Sequence, residues 1–233
     1  ESPEAGDEIS GQVHEVLIGC APPDINARSP GAPRSRAPYH GRTQNCLYMD
    51  ENLRQAAHML IGTGIAVLAL LLERDIMVLL LAGSIFIGFI LADALMKKYD
   101  IPIITFLIHT LERGVPVPGK GAFYFTASAL VCVLLFPSEI AAAGILALAV
   151  IDGVATLAGI QFGRHRIRNG KSVEGTFAGI AAGTVALAFI VPPGYALAAS
   201  LVAGVVELFS PVDDNLTIPI AVCILLAALG LAV

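Results

Sequence analysis

The sequence predicts an all-α fold, a polytopic transmembrane helix bundle of about seven spans, and three observations carry that expectation. Of 233 residues, 56% are hydrophobic and only 14% are charged, too little polar surface for a soluble domain of this length. Mean hydropathy is +0.77. The apolar residues gather into segments that approach the roughly 20 residues needed to cross a hydrocarbon core as a helix. Helices are required there, because backbone polar groups in lipid must be satisfied within the segment.

Residues 1 to about 50 stand apart. "APPDINARSPGAPRSRAPYHGRTQN" is rich in Pro, Arg, Gly and Ser and has no hydrophobic period, so a disordered tail is expected, possessing no apolar core of a signal peptide. The helical pattern begins just after Met49, which suggests Met49 as the natural start and the tail as an upstream artefact. The remainder, 51–233, reads as one transmembrane domain. Its first span is expected from Leu53 to Leu72 and its second from Ile76 to Leu95. A shorter amphipathic stretch, "IPIITFLIHTLERG", follows. The third span runs from Ala122 to Phe136 and the fourth from Ile140 to Gly159, with Pro137 as a point where the two could fuse. The fifth covers Thr176 to Val191, the sixth Tyr195 to Phe209 and the seventh Ile218 to Val233. Several are nearer 15 residues and must extend into their flanks.

The distribution of Lys and Arg orients this arrangement. Arg54, Lys97, Lys98, Arg113, Lys120, Arg164, Arg166, Arg168 and Lys171 all fall on one side of seven spans, and Arg74 is the only cation on the other. The N-terminus is therefore expected in the cytoplasm and the C-terminus outside, with every polar motif at the cytoplasmic face. The net charge of -5 does not suggest nucleic-acid binding. Four cysteines without a CxxC pair make neither a disulfide framework nor a zinc site.

Three groups of residues carry chemistry. Asp152 interrupts "AAAGILALAVIDGVATLAG" near the expected cytoplasmic end of the fourth span. A charge within a span costs about 2.5–3.5 kcal/mol on insertion scales and usually faces the bundle interior with a partner. It either sits at the water boundary or ligates magnesium, which prefers carboxylate oxygens. Small residues at Gly153, Ala155, Gly159 and Gly163 allow close approach of a helix or a ligand. In "GRHRIRNGKSVEG", cations and glycine-flanked turns offer positive charge and backbone N–H groups to an anion. Ser172 is also placed to cap the following helix, with Glu174 in its first turn. The phosphate-loop pattern Gly-x4-Gly-Lys-Ser/Thr is absent. In "VVELFSPVDDNLTIPI", Glu207 closes an apolar span, where the helix dipole disfavours a carboxylate and a partner is expected, and Asp213, Asp214 and Asn215 follow. Carboxylates beside a basic loop suit a metal–triphosphate site, the cations holding phosphates and the carboxylates a divalent ion. Weaker signals are Arg54 and His58, four apart on one helix face, and Glu112, Arg113 and Lys120 of a lid or lipid-entry loop.

These residues resemble the CTP-dependent membrane lipid kinases: dolichol kinase, phytol kinase and CTP-dependent diacylglycerol kinase. The family's nucleotide signature is matched by Asp152, Ala155, Gly159, Gly163, Lys171, Ser172, Glu174 and Gly175, and its downstream motif by Glu207, Asp214, Asn215 and Pro219. Glu51, Arg54, His58 and Gly62 are similar to the family's N-terminal motif, with Gln55 where a Lys is usual. The resemblance implies CTP as phosphate donor, Mg2+ or another divalent cation, and a lipid alcohol of the polyprenol or dolichol kind as acceptor from the bilayer. It implies catalytic roles for Asp152, Asp214 and Lys171. Gly159, Gly163, Arg164, Arg166, Lys171, Ser172, Glu174, Gly175 and Asn215 would contact CTP, and Asp152, Glu174, Asp213 and Asp214 the metal. The alternatives are a CTP:lipid-phosphate cytidylyltransferase and a small transporter; a transporter's polar residues should lie near the midplane and on both sides.

Overall fold

Among the described residues, 40–97, 99, 119–167, 170–210 and 212–231 of a computed structural model, seven α-helices form and no strand does. They are α1 (His40–Leu71), α2 (Arg74–Met96), α3 (Lys120–Leu135), α4 (Ser138–Phe162), α5 (Val173–Leu187), α6 (Pro193–Phe209) and α7 (Asp214–Ala228). The chain divides into two compact units, Glu1–Glu51 and Asn52–Val233. In the first, the described residues belong to α1; the second holds the other helices. The expected stretch 101–114, Glu112 included, lies outside the described residues.

Where helices begin and end follows from local chemistry. α1 begins at His40, inside the tail expected to lack structure, because no Pro or Gly interrupts the chain between Gly41 and Gly62. Pro137 separates α3 from α4, so the two remain distinct helices. Pro192 and Pro193 open α6, where a missing N–H costs nothing in the first turn. Ser172 caps α5, its Oγ accepting the Gly175 N–H at 3.1 Å.

Three helical segments are long and apolar enough to cross a membrane: Glu51–Leu71, Arg74–Met96 and Ser138–Phe162. This marks a membrane protein. The seven expected spans resolve into these three and four shorter apolar helices of 15 to 17 residues. Length separates the two classes, in line with the several expected segments that are nearer 15 residues. The long helices also differ in surroundings. In α4, 72% of the apolar window is buried, against 17% in α2. α4 is thus the central post, and α2 presents Leu79, Leu80, Phe86 and Phe89 outward.

Small residues set the packing around that post. A Cβ on Gly179 would lie 2.7 Å from the Ile151 carbonyl oxygen, and one on Gly175 would collide with that of Ala155. α5 therefore meets α4 backbone to backbone, which only glycine permits. Gly144 of α4 accommodates α7, whose Cys223 Sγ donates to the Ile140 carbonyl at 3.3 Å. α1 crosses α4 with Met59 against Gly153 and Gly62 against Ala149. α2 meets α3 through an edge-to-face pair, Phe89 and Phe123, 6.0 Å apart.

Candidate functional site

Five helices and the α4–α5 connection line one cavity of about 720 Å³. Its walls come from the α1 turns carrying Arg54 and His58, the start of α3, the second half of α4, the α4–α5 connection, the end of α6 and the start of α7. Arg54, Lys120, Arg166 and Lys171 line it, as do Asp152, Glu207, Asp213, Asp214 and Asn215. Asp152 is not at a helix end. It lies about three turns before Phe162, because α4 continues past Gly159, where the span was expected to stop. From that position within α4 it lines the cavity.

Lys171 is the hub. Its Nζ lies 2.5 Å from Asp214 Oδ2 and 3.3 Å from Glu207 Oε1, tying the α4–α5 connection to α7 and α6. Glu207, only 4% exposed, also accepts from Thr176 Oγ1 at 3.2 Å through its other oxygen. These are the partners that a carboxylate at a helix C-terminus needs. Burial works against the Lys171 charge, but Glu207, Asp214 and Asp152 outweigh it and hold its pKa above the ordinary lysine value.

A second set of contacts shapes the connection itself. Ile167 donates its N–H to the Lys171 carbonyl at 2.7 Å and Val173 to that of His165 at 3.0 Å, so Arg166 and Ser172 pair as a short antiparallel bridge. Gly170, at φ 78°, makes the turn that a side chain would strain, and Arg166 Nη1 donates to its carbonyl at 2.9 Å. Glu174 closes the hairpin. It accepts from the backbone N–H groups of Arg164 and His165 at 3.2 Å and meets His165 Nδ1 at 2.6 Å. The His165 contact first, then the N–H groups of Glu174, His165 and Arg164, hold its carboxyl down at about 2.

The structure therefore divides the candidate residues. Arg54, His58, Lys120, Asp152, Gly159, Arg166, Lys171, Ser172, Glu207, Asp213, Asp214 and Asn215 share the cavity. Gly163, Arg164, Glu174 and Gly175 lie outside its lining. The Glu174 carboxylate, which the resemblance implies for CTP and the metal, is engaged here by the hairpin N–H groups and His165. Gly159, Gly163 and Gly175 surround the capping Ser172, whose Oγ would lie 2.8 to 2.9 Å from a Cβ on any of the three, and helix packing accounts for their size.

Two contributors were not singled out from sequence. Thr176 supports Glu207, as above. Ser128 of α3 donates to the Asn215 carbonyl at 2.7 Å. That carbonyl is free because Pro219, four residues on, has no N–H to give it. A hydroxyl within an apolar helix is the available signal in both cases, since such groups bond across helices. Asn215 Nδ2 in turn donates to the Gly121 carbonyl at 3.4 Å, completing the tie between α7 and α3.

Among the described residues, no three His, Cys, Asp or Glu side chains converge to hold a metal ion. Asp213 and Asp214, adjacent at the start of α7, are the neighbouring carboxylates of the cavity, and a hard divalent ion held by one or two carboxylates completes its shell with water and phosphate oxygens. No family model matches the chain, and no solved structure matches it. It is similar to the uncharacterized protein MJ1137 of Methanocaldococcus jannaschii, with 34% identity over an alignment of 184 residues that covers 76% of this chain and 93% of that protein. The chain belongs to the same family as that archaeal protein.

Proposed function

We propose that this protein is a multi-pass membrane kinase that moves the γ-phosphate of CTP to the hydroxyl of a lipid alcohol of the isoprenoid kind. One observation carries the reading: a single cavity joins four cations and four carboxylates to an apolar arm lined by Ile61, Ile65 and Phe125. Such a cavity suits a reaction between a polyanion and a hydrocarbon-bearing acceptor. The choice of CTP rests on the resemblance of the Asp152–Gly175 and Glu207–Pro219 motifs to the CTP-dependent lipid kinases.

In this reading Lys171, pinned by Glu207 and Asp214, is a pre-positioned point charge for the terminal phosphates. Arg54 and Arg166 add positive charge at the same wall. The alcohol oxygen forms its bond to the γ-phosphorus as the bond from phosphorus to the β-phosphate oxygen breaks. CDP leaves with that electron pair, and Asp152 takes the hydroxyl proton. Asp213 and Asp214 would hold Mg2+, which when bound supplies positive charge against the triphosphate. Arg54, Lys120, Arg166 and Lys171 meet at this cavity, and the positive-inside bias supports its opening to the cytoplasm, where CTP is available.

The deciding experiment supplies purified protein in lipid nanodiscs with Mg2+, a C20 or longer isoprenoid alcohol, and CTP labelled on the α or the γ phosphate. Transfer of γ label alone is the expected result. Transfer of α label to a lipid phosphate would instead identify a cytidylyltransferase, and label in neither lipid would reject both.

A further inference from the structure

One wall of the cavity changes character along a single helix face. Arg54, His58, Ile61 and Ile65 all line it and fall at the spacing that stacks residues on one side of α1. From the ionic end the order is cation, imidazole, then hydrocarbon. The imidazole occupies the step between. Its Nε2 is buried and has no hydrogen-bond partner among the described residues. Its ring packs edge-on against Phe125 at 5.5 Å, so the orientation is supported from α3. The α1–α4 crossing also fixes its place. Met59 sits against Gly153, which puts their chain neighbours His58 and Asp152 at the same level of the cavity, and Asp152 and Arg54 are the charged groups that act on the ring. Ile61 is 56% exposed, so the apolar arm is continuous with the outer face of α1.

We infer that His58 Nε2 is the hydrogen-bond partner of the acceptor hydroxyl, with the adjoining hydrocarbon of the lipid alcohol lying along Ile61, Ile65 and Phe125. A lipid alcohol has the same order of parts as this wall: a reacting oxygen next to an apolar chain. A buried imidazole nitrogen lacking a partner is costly to keep, and with the hydroxyl proton directed to Asp152, the alcohol oxygen accepts from the Nε2–H. The inference rests on the kinase reading and adds to it the residue that receives the acceptor.

The test uses the full chain in nanodiscs, with CTP binding measured separately from transfer. His58→Ala is expected to raise KM for a C20 isoprenoid alcohol by about tenfold or more while leaving the Kd for CTP unchanged. His58→Gln, whose amide reaches the position of Nε2, is expected to restore much of that loss. Ile61→Trp, which narrows the arm without touching the ionic end, is expected to raise KM for the C20 alcohol and not for a water-soluble C5 isoprenoid alcohol. An unchanged KM for the alcohol in His58→Ala would overturn the inference, as would equal effects of Ile61→Trp on the two chain lengths. If His58→Ala fails to fold, shown by lost CTP binding, the Ile61→Trp comparison decides alone. Wild-type protein that binds CTP but transfers no γ label would overturn the kinase reading itself, a result distinct from either.

Discussion

Lys171 and Glu174 belong to the same short motif, yet they serve opposite sides of the α5 N-terminus. Lys171 faces inward and gathers carboxylates from two other helices, one of them almost wholly buried. Glu174 is partly exposed and gathers backbone N–H groups and His165 from its own hairpin. The first ties the bundle together at the cavity; the second shapes the connection that delivers Lys171. Closeness in sequence therefore does not imply a shared task, since successive residues at a helix start point in different directions around its axis.

The strongest way to break this contrast is to remove the inward charge. Lys171→Ala is expected to lower γ-phosphate transfer by about 10²–10³-fold, the usual loss when one preorganised electrostatic group is deleted. It also leaves Glu207 buried without its cation, which should cost about 3–5 kcal/mol in a detergent unfolding series. Glu207→Gln keeps the shape and the Thr176 contact while removing the charge pair. A smaller destabilisation of about 1–3 kcal/mol is expected from the same series. Unchanged stability in both variants would show that the inward cluster holds nothing together.

A milder change sharpens the picture at α7. Ser128→Ala strands the Asn215 carbonyl and is expected to cost about 1 kcal/mol. Pro219→Ala supplies the missing backbone donor, so the double variant should recover part of that loss, and a strictly additive cycle would refute the link. The smallest effect belongs to Glu174. Its carboxyl is held at about 2, below the ordinary 4.5, so its contribution to stability is present above pH 4.5 and lost as pH falls through 2. Glu174→Gln should flatten the acid side of the stability profile over that window and leave transfer at neutral pH nearly intact. A large loss of transfer at neutral pH would return Glu174 to the cavity chemistry.

These contrasts mark what could be read from residues alone. Helical class followed from apolar composition, and the breaks at Pro137 and Pro192–Pro193 followed from proline chemistry. The capping role of Ser172 was legible because a small hydroxyl before an apolar run has a local partner. The position of Asp152 along its helix was not, since nothing in "VATLAGIQF" told whether the helix stops at Gly159 or continues to Phe162. The contacts of Glu174 were not legible for a related reason: its direction depends on the backbone N–H groups that the hairpin turns toward it. Ser128 carried only the general signal of a hydroxyl in an apolar helix, because its partner lies 87 residues away and is freed by a proline. Interactions within a turn can be read from spacing, whereas those that depend on how helices meet cannot.

The four shorter helices have a consequence for the surrounding bilayer. At 1.5 Å per residue, helices of 15 to 17 residues measure about 22–26 Å, less than the roughly 30 Å of a typical hydrocarbon core. On the multi-pass arrangement proposed above, in which these helices also cross the bilayer, lipids around them would thin locally, at fractions of a kcal/mol per ångström, drawing the headgroup level toward the mouth of the cavity. Reconstitution into phosphatidylcholines of graded acyl length should thus favour the shorter chains. Membrane thickness would then act as a control on how easily a lipid hydroxyl reaches Lys171 and Asp152, without any change in the protein itself.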